Sequence, residues 1–306
     1  MKNAVVSPLW EPAKIKLLGC VSVKTFVNNA TGTLNKVLLC PPTYLEFEPI
    51  NVIAQKWLNK GEKVNKEAFM REHAELVQAY QENGVEVVLM DPKPGLTYQV
   101  FTRDFGACIP EGFIMGNFRE PCRAGETAEC ENMMKNLEIP CVARCTTGGF
   151  EGGDFWMLDE YTFAHGIIAR TDTAGFENIR EQVRELGYNM VGVPCHRQNL
   201  HLDMCFNIVA DHVAVVCKEA LPDSFISMLK KRKFTLIETN QEGVFRHYGN
   251  LQCLGKGRVL SFRNNKDVNA QLKALGLTVI EIDLVEILKG GGGPHCMTFP
   301  LEREDS

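Results

Sequence analysis

The stretch "YTFAHGIIARTDTAGFENIREQVRELGYNMVGVP", residues 161–194, joins two apolar runs through an amphipathic segment. The runs at 161–167 and 188–194 have the length and apolar content of buried strands. Residues 175–187 carry apolar side chains three and four positions apart, and Gly187 is a typical helix stop. The stretch therefore predicts a strand, a helix and a second strand, in that order.

The same order occurs five times along the chain. First strands are predicted at 35–40, 112–118, 161–167, 212–217 and 257–262, helices at 65–84, 128–137, 175–187, 221–231 and 267–276, and second strands at 85–90, 139–145, 188–194, 234–240 and 277–283. Such a unit cannot bury its own apolar faces, so neighbouring copies must stack. The first unit is longer than the others because of an insert at 41–64. We expect one α/β domain over residues 1–306, a five-bladed, pseudo-symmetric α/β propeller of strand–helix–strand units with its helices outside.

The composition excludes several classes of partner. The chain has 306 residues, 45% of them hydrophobic and 23% charged, with a formal net charge of −5. It lacks the concentrated basic face that nucleic acid requires, so we expect no nucleic-acid partner. The first eighteen residues lack the apolar core of a signal peptide, and no later run is long enough to cross a bilayer. We therefore expect a cytoplasmic protein with no membrane partner, and homo-oligomerisation stays open.

Twelve cysteines in a chain without a secretion signal indicate reduced thiols rather than a disulfide framework. Cys141 and Cys145 are separated by three residues, but no second pair follows at the spacing of a zinc site. We expect no metal site, and most of these thiols behave as small buried hydrophobic groups.

Polar stretches follow the second strand of each unit, and we expect them to share one pocket. They are "QVFTRD" (99–104), "GGFEGGD" (148–154), "QNLHLDM" (198–204), "EGVFRHYGN" (242–250) and "GGGGPHC" (290–296). Equivalent loops of a repeated architecture gather at one end of it, where ligands bind. The fourth stretch has no assigned role at this stage, and neither do the first 34 residues.

Cys296 follows four consecutive glycines, which let a ligand approach the backbone closely. A buried structural thiol is the alternative interpretation, and a phosphate loop is not supported because no lysine follows and no helix begins there. We expect a nucleophile, with the glycines leaving space for a flat cation. In the extended sequence "HLD", His201 and Asp203 project to the same side. This predicts a base beside a carboxylate, as thiol nucleophiles use, although a lone histidine is also common in a core.

Acidic residues dominate the remaining polar loops. Asp104, Glu151, Asp154 and Asp203 could each form a turn or a helix cap on their own. Carboxylates that converge in a buried pocket need a positive partner. A planar guanidinium pairs bidentately with carboxylates, so it fits better than the two alternatives, an ammonium group or a divalent metal.

Arg123 and Arg170 lie in "FREPCRAGE" (118–126) and "GIIARTDTAG" (166–175). Each could be a surface ion-pair partner. If both face the pocket, they would hold a carboxylate at the far end of the ligand. A guanidinium at one end and a carboxylate at the other describe an arginine-like amino acid.

As a set, the motifs resemble those of the guanidino-group-modifying (pentein) superfamily, which contains arginine deiminases, dimethylargininases, agmatine deiminases and amidinotransferases. The matching motifs are "FTRD" (101–104), "EGGD" (151–154), "ART" (169–171), "HLD" (201–203) and "GGGGPHCMT" (290–298). The resemblance extends from about residue 36 to residue 300 and implies the five-bladed α/β propeller.

The resemblance also implies roles for the site residues. Cys296 would be the nucleophile and His201 the acid and base, while Asp104 and Asp203 would hold the guanidinium nitrogens. Glu151 would orient His201 or the substrate. The expected substrate-binding residues are Phe101, which would pack on the flat group of the substrate, Arg123 and Arg170, which would bind its carboxylate, and Asp154.

The implied activity is hydrolysis of free L-arginine or an Nω-substituted arginine through a thiouronium on cysteine. The products would be citrulline and ammonia or an alkylamine, and neither a metal nor an organic cofactor is needed. Two carboxylates that each bind a guanidinium nitrogen favour a substrate in which those nitrogens are unsubstituted. Cyanobacterial-type arginine dihydrolases share the "HLD" pattern but carry asparagine where Asp104 stands, which argues against a double hydrolysis.

Three other functions remain open. An amidinotransferase would pass the amidino group to an amine. An agmatine deiminase is suggested by His295 beside Cys296, although Arg170 would then have no carboxylate to bind. A non-catalytic binding protein of the same fold is disfavoured because Cys296, His201 and Asp104 occur together.

Overall fold

The computed structural model describes residues 26–196 and 198–304. The N-terminal segment on which the signal-peptide expectation rests lies outside these residues. Among the helices of the described part, none is long and apolar enough to cross a membrane. The helices are α1 (Val52–Asn59), α2 (Lys66–Glu82), α3 (Glu126–Asn136), α4 (Thr173–Glu185), α5 (Asp223–Lys231), α6 (Gln241–Phe245) and α7 (Lys266–Ala274).

Within the part of the chain that the structure describes, the strands form five separate three-stranded sheets. In chain order they are β1 (Leu34–Leu39), β2 (Glu86–Leu89), β3 (Gly106–Ile109), β4 (Gly112–Met115), β5 (Cys141–Arg144), β6 (Phe155–Asp159), β7 (Thr162–Ile167), β8 (Asn189–Pro194), β9 (Phe206–Ala210), β10 (Val213–Cys217), β11 (Thr235–Thr239), β12 (Gln252–Gly255), β13 (Arg258–Phe262), β14 (Thr278–Ile282) and β15 (Phe299–Arg303). Both predicted strands and the predicted helix of every unit are confirmed, with ends that differ by a few residues.

Each sheet contains one strand more than the sequence predicted. In the second to fifth sheets a short strand precedes the first predicted strand and pairs with it antiparallel, whereas in the first sheet the additional strand is β15. In every sheet the strand after the helix pairs parallel with the first predicted strand. The predicted strand–helix–strand unit is present but lacked one strand. The additional strands have only four or five residues and directly follow the polar loops, so neither length nor alternation distinguishes them from loop. β3 and β4, for example, are joined only by Pro110 and Glu111.

The first sheet is completed by the C-terminal end of the chain. β15 pairs antiparallel with β1, with Phe299 opposite Leu38 and Pro300 opposite Val37. β1 then pairs parallel with β2. The segment 290–298 enters this sheet from the same end as the other polar loops, which brings it beside residues far away in sequence.

The helices bury one face each against the sheets. α2 buries Phe69, Leu76 and Tyr80, which the three-and-four spacing places on a single face. Burial of a large apolar side chain stabilises a fold by about 1.5–3 kcal/mol. These contacts fix the positions of the strand ends that carry the polar loops.

The insert at 41–64 contains α1, which the sequence did not predict. Asn51 caps this helix, with its Oδ1 accepting hydrogen bonds from the backbone N–H groups of Ile53 and Ala54. The Nδ2 of Asn51 donates to the backbone oxygen of Gly290 at 3.1 Å. One side chain thus joins the insert to the loop that carries Cys296.

Candidate active site

Polar loops from separate units meet around a small cavity above Cys296. It is lined by Ile50, Asn51, Tyr98, Phe101, Asp104, Arg123, Arg170, Leu200, His201, Gly290, Gly291 and Cys296. Its volume is about 10 Å³, room for about one water molecule. A neighbouring cavity of about 320 Å³ shares four of these residues, namely Ile50, Asn51, Arg170 and Leu200. Those four therefore separate an inner chamber from an outer one.

The thiol of Cys296 lies between a hydrogen-bond donor and an acceptor. Its Sγ is 3.0 Å from Nδ2 of Asn250 and 3.3 Å from Oδ2 of Asp203. Burial, followed by the negative charges of Asp203 and Asp104, raises the pKa of Cys296 well above the usual value of a thiol. Burial and the two acids outweigh the hydrogen bond from Asn250, so the site favours the neutral thiol.

Sequence reasoning missed Asn250. It is the last residue of the fourth polar stretch, 242–250, to which no role had been given. The one sequence signal for Asn250 was its position. It lies in a loop that follows the second strand of a unit, as the other polar loops of the site do.

His201 is held by acids on both ring nitrogens. Its Nε2 is 3.0 Å from Oε2 of Glu151, and its Nδ1 is 3.6 Å from Oδ1 of Asp104. Burial alone would lower the pKa of His201, but Asp104, the hydrogen bond to Glu151 and the charge of Asp154 raise it to about 10. At neutral pH the ring is therefore an imidazolium, suited to donating a proton.

The expected pairing of His201 with Asp203 was wrong. Leu202–Met204 forms a turn of 3₁₀ helix, so the alternation of an extended chain does not apply. Oδ2 of Asp203 instead lies 2.8 Å from Nδ1 of His295. Burial and the nearby Arg103 lower the pKa of His295 to about 4, so its neutral ring donates to Asp203.

Arg123 lines the inner chamber and is paired with acids of the protein. Its guanidinium is buried and donates to Asp104 and, at 2.8 Å, to Oε2 of Glu126. Binding of a substrate carboxylate by Arg123 stays a prediction, and it requires Arg123 to exchange one of these internal partners. Arg123 compensates the charge of the inner acids.

Arg170 lies at the boundary between the two chambers. It donates to the backbone oxygen of Ile50 at 2.5 Å, and its Nη1 is 3.7 Å from Oε1 of Glu151. Its Nε is 3.6 Å from Oε1 of Glu120, a partly exposed acid at the outer chamber. Both chambers are lined by Arg170, so it can reach the far end of a ligand that extends outward.

Asp154 is also corrected, from a substrate contact to an internal brace. It does not line the inner chamber, and both of its oxygens are occupied. Oδ1 accepts from the backbone N–H of Leu202 at 2.8 Å, and Oδ2 accepts from Oγ1 of Thr171 at 2.7 Å. Asp154 thereby ties the loop of His201 to the "ART" segment.

The glycines before Cys296 make room for neighbouring side chains of the protein. A Cβ on Gly292 would lie 2.5 Å from Phe101 and 2.7 Å from the Cβ of Cys296. On Gly291 it would lie 2.7 Å from Asn51, in a left-handed backbone conformation with φ of 109°. The expectation that these glycines leave room for a cation is therefore wrong as stated, since they let neighbouring side chains pack onto the loop.

Three buried polar atoms near Cys296 have no hydrogen-bond partner among the described residues. They are Oδ1 of Asp203, and Oδ1 of Asp104 and Nδ1 of His201, which lie 3.6 Å apart, at ion-pair distance but too far for a hydrogen bond. A buried polar atom without a partner costs about 1–3 kcal/mol, so a ligand that brings N–H donors to the two carboxylates gains free energy. Asp104 lines the inner chamber together with Cys296, and Asp203 contacts the sulfur, so both carboxylates are near the point where a planar cation with several N–H donors would bind.

The same acids raise the question of a metal ion. Asp104, Glu151 and His201 each offer one atom within 4.8 Å of the others. The pKa of about 10 makes His201 an imidazolium, which has no free lone pair for a metal. Arg123 and Arg170 also lie within ion-pair distance of Glu151. This electrostatic arrangement fits an organic cation better than a metal.

Comparison with known proteins identifies the family of this chain. The family model for eukaryotic N,N dimethylarginine dimethylhydrolase matches residues 41–303. The chain belongs to this family and, with it, to the pentein superfamily of guanidino-group-modifying proteins. It is also 35% identical over 280 residues to the uncharacterized protein YkgA of Bacillus subtilis (strain 168), covering 92% of this chain and 96% of that protein.

Enzymes of known activity are more distant. The chain is 28% identical over 263 residues to an arginine deiminase of Bacillus cytotoxicus, covering 71% of this chain and 63% of that enzyme. Its fold is similar to that of the N-terminal domain of ArgZ, a cyanobacterial arginine dihydrolase bound to its product, with a TM-score of 0.76. That likeness has 20% identity, covers 86% of this chain and 96% of the domain, and concerns the fold alone.

Proposed function

We propose that the protein hydrolyses the guanidinium group of free L-arginine or of an Nω-substituted arginine. The observation that carries this proposal is the buried thiol of Cys296 with two acids near it, Asp203 at 3.3 Å from the sulfur and Asp104 in the lining of the same chamber. Each acid has one oxygen without a hydrogen-bond partner. Membership of the dimethylarginine dimethylhydrolase family supports an amidine substrate. One relative is an arginine deiminase. The two carboxylate oxygens without a hydrogen-bond partner favour a substrate whose guanidinium nitrogens still carry their hydrogens.

The proposed architecture is a single closed propeller of five blades. Neighbouring units contact each other one after another. The first unit contacts the second through β15 and β3, and the second contacts the third through β3 and the turn at Gly152–Asp154. That turn contacts the turn at Leu202–Met204, which precedes β9 of the fourth unit, β9 contacts β12 of the fifth unit, and β12 contacts β1 of the first. The last contact joins the fifth unit to the first, which supports a closed ring. Closure would bury the end faces that the first and fifth units would expose in an open array.

The nucleophile becomes reactive as the substrate binds. Without a cation the acids keep Cys296 neutral, because a thiolate would add a third negative charge. A guanidinium between Asp104 and Asp203 reverses this balance, since an adjacent positive charge lowers a thiol pKa. The thiol proton leaves to solvent as the cation enters.

His201 then works in two steps. The thiolate attacks the guanidinium carbon, forming a carbon–sulfur bond, and the imidazolium of His201 protonates the departing nitrogen as its carbon–nitrogen bond breaks. Ammonia or an alkylamine leaves, with a thiouronium on Cys296. Neutral His201 next removes a proton from water, whose oxygen adds to the same carbon. The carbon–sulfur bond then breaks with the sulfur leaving as thiolate, and the new hydroxyl group loses its proton to solvent, which gives the ureido carbonyl. Glu151 holds the ring through both steps at 3.0 Å.

The other end of the substrate lies toward Arg170. The inner chamber is too small for a guanidinium, so the wall made by Ile50, Asn51, Arg170 and Leu200 must move during entry. The carboxylate of arginine would replace the backbone oxygen of Ile50 as the partner of Arg170. A charged oxygen is the stronger acceptor for a guanidinium.

The test is turnover of arginine, methylated arginines and agmatine, followed by mass spectrometry of acid-quenched protein. We expect citrulline from at least one arginine and a mass increase on the peptide that contains Cys296. Incubation of arginine with glycine or lysine separates an amidinotransferase, which would release ornithine only when the amine is present. Absence of turnover with arginine, with methylated arginines and with agmatine, or a covalent adduct on a cysteine other than Cys296, would refute the proposal.

A further inference from the structure

Asn250 contacts both the sulfur of Cys296 and the backbone that carries it. Its Oδ1 accepts from the backbone N–H groups of Gly293 at 3.0 Å and of Cys296 at 3.1 Å. Its Nδ2 lies 3.0 Å from Sγ. The side chain is completely buried, so water does not compete for these contacts.

The orientation of the amide follows from its partners. Two backbone N–H groups can be satisfied only by the carbonyl oxygen, so the NH₂ group must face the sulfur. On the other side of the sulfur, the ionised carboxylate of Asp203 can only accept a hydrogen bond. Asp203 can therefore accept a hydrogen bond only from the thiol form of Cys296. The NH₂ group of Asn250 can donate a hydrogen bond to its thiolate form.

We propose that Asn250 is the hydrogen-bond donor that stabilises the Cys296 thiolate and aims it by clamping the turn from Gly293 to Cys296. This inference rests on the proposed role of Cys296 as nucleophile. A donor to an anion is about twice as strong as a donor to a neutral group, so the amide stabilises the reactive form selectively. It does so without a charge of its own and remains in place when the substrate leaves.

The charged surroundings make such a donor necessary. Asp203 and Asp104 face the sulfur and oppose its ionisation, while the buried cation Arg103 acts from the other side. The hydrogen bond from Asn250 lowers the pKa of Cys296, against the larger effect of burial. Without this hydrogen bond, the effect of Asp203 and Asp104 on the pKa of Cys296 is no longer offset by a donor in contact with the sulfur.

The test uses Asn250→Asp, which keeps the size and the oxygen that accepts from the turn but replaces the NH₂ group with a second acceptor. The rate of Cys296 alkylation by iodoacetamide is followed between pH 7 and pH 10 by peptide mass spectrometry. We expect a rate about 10–100-fold lower than that of the wild type, as loss of a hydrogen bond to a charged group implies. Asn250→Ser, an uncharged second variant, should change the rate in the same direction by a smaller factor.

Asn207 provides a matched control. It is equally buried, and its Nδ2 donates to the backbone oxygens of Gly249 at 2.7 Å and Leu251 at 2.6 Å, on either side of Asn250. Asn207→Asp therefore loosens the same segment with the same charge change but touches no atom of Cys296. We expect its alkylation rate to stay near that of the wild type.

Two outcomes would overturn the inference. One is an unchanged alkylation rate in both Asn250 variants, and the other is equal slowing by Asn207→Asp, which would make the effect one of loop packing. The assay contains no substrate, so it is independent of the hydrolase proposal. If Asn250→Asp slows the alkylation of Cys296 as expected but the protein turns over no guanidino compound, the proposed function is rejected. The role of Asn250 as a hydrogen-bond donor then still holds.

Discussion

Nε2 of His201 lies 3.0 Å from Oε2 of Glu151, and both side chains are buried. Burial alone would raise the pKa of Glu151, but the hydrogen bond from His201 and its charge lower it to about 2. The carboxylate is therefore ionised at any working pH. It keeps His201 protonated in a site where burial would otherwise remove the proton.

Glu151→Gln is expected to move the alkaline limb of the pH–rate profile. In the wild type, kcat/KM should fall as pH rises through the pKa of His201, about 10, because the acid that protonates the leaving nitrogen is lost. Loss of one carboxylate partner should lower that midpoint by about 1–3 pH units. Citrulline release across pH 6–11 measures the shift. Glu120→Gln, which removes an acid that pairs with Arg170, is the control and should leave the limb in place.

Arg170→Gln is expected to separate substrates that carry a carboxylate from those that lack one. Loss of a charged hydrogen bond should raise the KM for arginine about 10–100-fold, while the rate with agmatine, which has no carboxylate, should equal that of the wild type. Initial rates over a range of both substrates give the comparison. Arg119→Gln, at an exposed neighbouring arginine, is the control. An equal loss with both compounds would contradict a carboxylate contact.

Gly292→Ala is expected to damage the nucleophile loop. The added Cβ would lie 2.5 Å from Phe101 and 2.7 Å from the Cβ of Cys296, so one of the two must move. Overpacking of this kind destabilises a fold by about 1–3 kcal/mol, measurable by urea unfolding, and should lower kcat. Gly249→Ala meets its nearest atom at 3.5 Å and should have little effect on either quantity. Full activity in Gly292→Ala would show that Phe101 does not need its present position.

Asn51→Ala is expected to release α1 from the loop of Cys296. The side chain caps α1 and also donates to the backbone oxygen of Gly290. Loss of a cap costs about 0.5–2 kcal/mol, so hydrogen exchange over residues 52–59 should accelerate, and turnover should change with it. Asn65→Ala removes the cap of α2, away from the site, and should accelerate exchange only in that helix. Similar turnover in the two variants would argue against coupling of α1 to the site.

Much of the fold and part of the site could be predicted from residue patterns. Apolar spacing predicted the helix and two of the three strands of each unit, because burial imposes a period on a sequence. The third strand escaped prediction because four or five residues beside a polar loop carry no period. α1 escaped for a similar reason, since its signal was a single capping asparagine in an insert.

The sequence by itself determined the repeated units, the cysteine and the acids that meet at one end of them, since burial and charge leave their mark on local composition. The tertiary structure alone decided which groups pair. Asp203 reaches Cys296 across 93 positions and pairs with His295 instead of His201, and Asn250 reaches the sulfur across 46 positions. Side-chain direction depends on the rotation of each turn and on the angle between sheets. Those are properties of packing between distant segments, which residue order does not express.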